Sequence, residues 1–303
     1  RARRSMFHWE TPPAGAMTGR VVLVTGATGG LGEAAARTLA QRGAEVWIVG
    51  RDAARTESTR REMQAAATGT RVEAIVADLA RLDDVRRVAE EVLARTGRLD
   101  ALVHNAGALV HDLQYTEDGI EITAQVHVVA PFLLTTLLLP LLQATGDARV
   151  VTVSSGGMYT QALDLHALIA PPVPFNGSRA YANAKRAQVV LNGLWAARPG
   201  AGGVAFHAMH PGWADTPGVQ ASLPRFRSVM RPILRTPDEG ADTIVWLASA
   251  PEPQSASGQF WLDRRPRPTS PLPWTRTSAD DAEHLWDWCS ARAGITPDPG
   301  NLA

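Results

Sequence analysis

The feature that most constrains this chain is a junction near its start. Val21–Val24 is a short, β-branched apolar run, and it leads into Thr25-Gly26-Ala27-Thr28-Gly29-Gly30-Leu31-Gly32. Leu31–Arg42 then shows helical spacing and good helix formers. A short apolar run bounded by a turn signal reads as a strand buried on both faces. Glycines between a strand and a helix let the backbone turn sharply and approach a ligand closely. The helix N-terminus behind them favours negative charge, so the junction suits a pyrophosphate. Two spacings fit: Gly26, Gly30 and Gly32 as GxxxGxG, or Gly26, Gly29 and Gly32 as GxxGxxG. Placed after the first strand and before a helix, either one points to nucleotide binding, with Thr28 and Leu31 lying between the glycines.

The rest of the chain alternates in the same way. Strands are expected at Glu45–Val49, Val72–Ala77, Leu99–His104, Arg149–Val153, Val204–Met209 and Gln259–Leu262. Helices are expected at Arg55–Ala67, Leu82–Thr96, Arg179–Ala197 and Pro237–Ala250, with a long helical region from Thr116 to Gln143. Alternation of this kind gives an α/β fold, a doubly wound Rossmann-type parallel sheet covered on both faces. No composition break divides it. The expected organisation is a flexible N-terminal arm over residues 1–18, a single domain over 19–263, and an irregular C-terminal tail over 264–303 with a short Trp-bearing helix, Asp280–Ala293.

Composition excludes several classes. The 303 residues carry 30 basic and 30 acidic side chains, so there is no basic face to argue for nucleic acid. The lone Cys289 forms no internal disulfide, no oxidising compartment is implied, and a cytoplasmic location is expected. The most apolar run, Phe132–Leu142, is short for a bilayer span and holds Pro140, so no integral membrane segment is expected. The histidines lack a metal spacing such as HExxH, and no metal is expected.

The end of the second strand selects between dinucleotides. An acid there holds ribose hydroxyls, whereas an arginine receives a 2′-phosphate. The sequence reads Val49-Gly50-Arg51-Asp52. Gly50 leaves room and Arg51 offers a planar charged fork, which favours NADP. Asp52 is the alternative, a ribose ligand for NAD.

Of the 30 basic residues one alone is lysine, Lys185. It stands four residues after Tyr181 in an expected helix, so the two side chains share a face. A tyrosine has a pKa of about 10 and needs a neighbouring cation to serve as an acid or base near neutrality.

With the glycine turn, Asp78-Leu79, Asn105-Ala106-Gly107, Ser154-Ser155, Tyr181-xxx-Lys185 and Pro211-Gly212 in that order, the chain resembles the short-chain dehydrogenase/reductases from about Gly19 to Asp263. The strings Ser154–Met158, Met209–Val219 and Gly240–Thr243 resemble the subgroup of dehydrogenase/reductase family member twelve. The loop Tyr159–Asn176 resembles the insertion of retinol-dehydrogenase-like members. The resemblance implies that Ser155 hydrogen-bonds a substrate carbonyl and Tyr181 moves the proton. It implies that Lys185 binds the nicotinamide ribose and lowers the pKa of Tyr181. Asp78 and Leu79 would hold the adenine, and Asn105, Ala106 and Gly107 would line the cofactor cleft. Pro211, Gly212, Trp213 and Thr216 would cover the nicotinamide. The implied reaction is hydride transfer between a nicotinamide and a small-molecule carbonyl or alcohol, and a homo-oligomer is implied by resemblance alone.

One segment departs from the family. Where many members carry an asparagine in the fourth helix that holds a water for the lysine, this chain reads Ala124-Gln125-Val126-His127-Val128-Val129-Ala130. Histidine also donates, accepts and shuttles protons, so His127 joins the candidate catalytic residues. Two other functions remain open: a cofactor-binding sensor without turnover, and a sugar-nucleotide epimerase or dehydratase of the extended branch. Arg225, Arg227, Arg231 and Arg235 follow the expected nicotinamide cover, as a solvated helix face or as attractors for an anionic substrate.

Overall fold

The computed structural model describes residues 13, 15–67, 69–198, 200, 202–215 and 234–295. Most of the expected arm, together with Thr216, Arg225, Arg227 and Arg231, lies outside the described residues.

The strands are β1 (Val21–Thr25), β2 (Glu45–Gly50), β3 (Val72–Val76), β4 (Ala101–His104), β5 (Arg149–Val153), β6 (Ala205–Met209), β7 (Phe260–Leu262) and β8 (Arg265–Pro266). They form one sheet in the order β3-β2-β1-β4-β5-β6-β7-β8, parallel except for β8, which runs antiparallel to β7. The chain reverses its direction of winding between β1 and β4. A crevice therefore opens beyond the carboxyl ends of these strands, where such sheets bind ligands.

The helices are α1 (Gly30–Gln41), α2 (Ala53–Ala66), α3 (Leu82–Arg95), α4 (Ile122–Thr145), α5 (Leu165–Ile169), α6 (Gly177–Ala197), α7 (Pro237–Ser249) and α8 (Ala279–Arg292). Strand side chains alternate between faces. On β1 and β2, Leu23, Trp47 and Val49 face a core shared with Val85 and Val88 of α3, Leu133 of α4, Leu191 of α6 and Leu285 of α8. Val22, Val24, Val46 and Ile48 face the other core, with Ala35 and Leu39 of α1 and Ile244 of α7. Burial on both faces explains why the strands read as continuous apolar runs.

Three differences from the sequence reading have local causes. The long helical region begins at Ile122, not Thr116, because Glu121 caps it by accepting from Ala124 N at 2.9 Å. Residues ahead of it turn at Gly119 (φ 70°) and bridge Tyr115 to Glu121. The same helix runs on through Pro140 to Thr145, so the apolar run is part of a 24-residue helix long and apolar enough by composition to cross a membrane. Here it is a core helix, with Phe132, Leu133, Leu134 and Leu138 buried. Finally, the tail adds the edge strand β8 through a tight hairpin at Asp263-Arg264, both with φ 55°. Neither is glycine, so each holds a left-handed conformation that costs roughly 1–2 kcal/mol.

Helix α8 is seated in the same core as the sheet. Trp286 packs edge-on against Phe132 (4.9 Å) and Trp195 (4.6 Å), and the Arg198 guanidinium lies 3.6 Å over its ring. The buried Arg186 ties the tail down further on, donating to Gln161 O (3.0 Å) and Thr269 O (2.7 Å).

Candidate active site

The glycine turn builds the first half of the crevice. Gly26 has φ 64°, and a Cβ there would stand 2.7 Å from Ala106 Cα, so both conformation and space require glycine. Gly32 is pressed against Asn105, whose Nδ2 donates to Thr25 O (3.1 Å) and Gly26 O (3.0 Å). Thr25 Oγ1 in turn accepts from the amides of Asn105 and Ala106, both at 3.1 Å. Asn105 thus fixes the turn as well as lining it. Helix α1 starts at Gly30 without a side-chain cap. Its first amides are therefore left for an anion.

A groove of about 570 Å³ runs along this turn, lined by Gly26, Thr28, Gly30, Leu31, Arg51, Asp78, Leu79 and Asn105–Gly107 among others. These residues fit a dinucleotide. At its far end the exposed Arg51 is joined by Arg55, which the sequence reading missed. Arg55 Nε donates to Thr28 O at 2.8 Å, laying its guanidinium against Gly29. Asp52 is the N-cap of α2 and accepts from Arg55 N at 2.8 Å. One oxygen of its carboxylate thus caps the helix, while two guanidinium groups line the groove. The spacing of Arg55 four residues after Arg51 was the available signal.

The second half is a pocket of about 340 Å³ that shares Leu31, Asn105, Gly107 and Ala108 with the groove. Ser155, Tyr181 and Lys185 all line it, Ser155 from the end of β5 and the other two from α6. Ser155 is hydrogen-bonded to Tyr181 and accepts from Gly157 N at 3.1 Å. Ser154 faces away, donating to Lys185 O at 2.9 Å. Lys185 Nζ lies 5.4 Å from the Tyr181 ring centre and donates to Val153 O at 2.9 Å. Burial pushes the Lys185 pKa down to about 7. Burial raises that of Tyr181, and the Ser155 bond pulls it partly back. The expected lowering of Tyr181 by Lys185 is thus not the dominant effect in this geometry. Desolvation acts on both groups first.

His127 sits on a π turn, Gln125–Val129, within α4. Its ring meets Tyr181 edge-on at 5.3 Å, and a Cβ on Gly107 would collide with it. Nε2 stands against Ala108, 2.8 Å from its O and 3.2 Å from its N, and Nδ1 is buried without a hydrogen-bond partner among the described residues. Burial, then the Lys185 charge, holds its pKa well below the usual value, so the ring is neutral.

Pro211, Gly212, Trp213 and Ala214 close the opposite wall. Arg235 reaches this wall and pairs with Asp263 at 2.6 Å. It is paired within the wall and does not stand on a solvated helix face.

A doubly wound sheet, a glycine turn feeding an uncapped helix and a tyrosine–lysine pair beside that groove define a dinucleotide-dependent enzyme. Residues 20–225 match the short chain dehydrogenase family, and the chain belongs to it, which makes it an NAD(P)-dependent oxidoreductase. It is 40% identical over 267 residues to Bos taurus dehydrogenase/reductase SDR family member 12, covering 88% of this chain and 83% of the relative. It is 32% identical over 292 residues to Mus musculus retinol dehydrogenase 11, covering 93% and 89%. Both bear out the subgroup resemblance. Among solved structures, a protein from Mycobacterium paratuberculosis superposes with TM-score 0.73 at 28% identity, covering 94% of this chain and 98% of that one. A Beutenbergia cavernae structure with bound NADP at low occupancy gives TM-score 0.66 at 29% identity, covering 82% and 96%.

Proposed function

We propose that the chain is an NADP-preferring oxidoreductase of a neutral ketone or secondary alcohol, with Tyr181 as the acid/base. The observation that carries this reading is the convergence of Ser155, Tyr181 and Lys185 in one pocket continuous with the glycine-lined groove. When bound, the nicotinamide supplies or takes up the hydride. Ser155 holds the carbonyl oxygen. Tyr181 gives the proton to that oxygen in reduction and takes it in oxidation. Lys185 holds the nicotinamide ribose and, when protonated, stabilises the phenolate of Tyr181. His127, held neutral by burial, serves as the proton relay behind Lys185.

At the other end, Arg51 and Arg55 bind the 2′-phosphate, Asp78 and Leu79 the adenine, and the α1 amides the pyrophosphate. Pro211, Gly212 and Trp213 cover the nicotinamide, with Thr216 following them. The neutral character of the substrate rests on the pocket wall. Among the described residues, Lys185 is the one charged side chain lining it.

The test is a panel of neutral and carboxylate-bearing ketones and alcohols with NADPH and NADH, run on the parent and on Tyr181→Phe. Turnover of neutral substrates with NADPH, lost in Tyr181→Phe, is the expected result. Tight NADPH binding without turnover on any substrate would instead make the protein a cofactor sensor.

A further inference from the structure

The residues that shape the wall of the reaction pocket include two that do not line it. Resting on the function proposed above, we propose that Arg235 and Asp263 are positioning residues that set the path of Pro211–Ala214 against the nicotinamide half of the cofactor. Arg235 is held to this wall on both sides of its own backbone. Its N donates to Trp213 O at 2.7 Å, and its O accepts from Asp215 N at 2.8 Å. Its side chain then folds back over Gly212. Nη1 donates to Pro211 O at 3.1 Å, and the guanidinium forks onto both Asp263 oxygens at 2.6 and 2.9 Å. Gly212 has φ 76°, and a Cβ there would stand 2.7 Å from Arg235 Cζ. The glycine is therefore favoured by the conformation, and the guanidinium lies directly on it.

Asp263 is delivered by the hairpin between β7 and β8. That hairpin turns on two residues with positive φ, Asp263 and Arg264, where such turns ordinarily use Asn-Gly. Both side chains are spent on bidentate ion pairs pointing to different elements. Asp263 takes Arg235, and Arg264 takes Asp242 of α7 with bonds of 2.9 and 2.5 Å. Helix α7 is itself packed on the cofactor helix, because a Cβ on Gly240 would meet Leu31 Cδ2 at 2.5 Å and Ala214 Cβ at 3.1 Å. The strained hairpin tip thus joins the pocket wall to the helix that backs the glycine turn. A planar five-donor fork is what allows one side chain to hold a carboxylate and a backbone carbonyl together.

The two ion pairs of the hairpin provide their own control. Asp263→Asn breaks the pair that touches the wall and keeps a residue suited to positive φ. Asp242→Asn breaks the pair that does not touch it. In the cofactor-free proteins, amide hydrogen exchange over residues 210–215 should rise roughly tenfold in Asp263→Asn and stay at the parent rate in Asp242→Asn. By calorimetry, Asp263→Asn should weaken NADPH roughly five- to tenfold while leaving adenosine 2′,5′-bisphosphate, which lacks the nicotinamide half, unchanged. Arg235→Lys, which keeps the charge but has no planar fork, should fall between parent and Asp263→Asn in both measurements. Unchanged exchange in Asp263→Asn, equal effects of the two Asn variants, or equal weakening of NADPH and the fragment would each overturn the assignment. A parent protein that binds neither nucleotide would overturn the proposed function, and the exchange comparison would still decide the role of the clamp.

Discussion

The two ends of the cleft are made in opposite ways. The adenosine end is built from the glycine turn and the exits of β2 and β3, and its chemistry is backbone amides plus two exposed arginines. The reaction end is assembled from the end of β4, the middle of α4, the end of β5, α6 and the strand exit after β6. Its working groups are buried and half-buried side chains, where burial pushes Lys185 down to about 7, keeps His127 neutral and raises Tyr181. Binding by amides and permanent surface charges makes no demand on pKa values. At the reaction end burial moves Lys185 toward neutrality and Tyr181 away from it, so Tyr181 needs a charge or hydrogen bond beside it to act.

This contrast predicts which substitutions damage turnover and which damage affinity. The largest effect is Tyr181→Phe, which should lower kcat by about 10²–10⁴-fold. Its NADPH affinity, measured by fluorescence titration, should stay within a few-fold of the parent. A joint loss of both would break the separation of the two ends. Lys185→Arg keeps the charge but replaces a compact ammonium with a planar fork, and should cost turnover by about 10²-fold in steady-state assays.

Smaller again is the other end. Arg55→Ala should weaken NADPH roughly tenfold and NADH hardly at all, since it removes one charge-assisted partner of the 2′-phosphate. Equal effects on the two cofactors would show that Arg55 serves only to hold Thr28.

The smallest effect is on stability. Unfolded Lys185 keeps its proton up to about 10.5, but the folded residue keeps it only up to about 7. Between those values folding must expel a proton, so this residue opposes folding most at pH 7 and below, and least near pH 10.5. Cofactor-free Lys185→Met should therefore melt about 5 °C or more above the parent at pH 7. The gap should close as pH rises toward 10. A gap that does not change with pH would mean that the amine is solvated.

The sequence was most readable where one short stretch does the whole job. The strands stood out because burial on both faces leaves apolar runs, and Arg149–Val153 matches to the residue. The glycine turn and the Tyr181–Lys185 pair were visible because turn geometry and helical spacing are local rules. What stayed hidden depends on chain segments meeting. Asp52 reads from the sequence as a ribose ligand, and its capping of α2 shows only in the bond from Arg55 N. The π turn at Gln125–Val129 leaves no mark in a 3.6-residue pattern. The strand β8 is two residues long and contains a proline, too short for any periodicity. Arg235 looked like one more arginine among many until Asp263 was placed opposite it.

The seat of α8 bears on how the protein comes into being. Arg86 of α3 donates to Ala293 O, a bond spanning 207 residues, and Leu285 and Cys289 complete the core begun by β1. During synthesis the early strands and helices leave the ribosome long before this helix exists. The apolar face that awaits α8 stays open for much of translation, with Phe132 and Trp195 on it. Such late closure leaves a nascent chain dependent on chaperones and prone to self-association until its final turn of helix arrives.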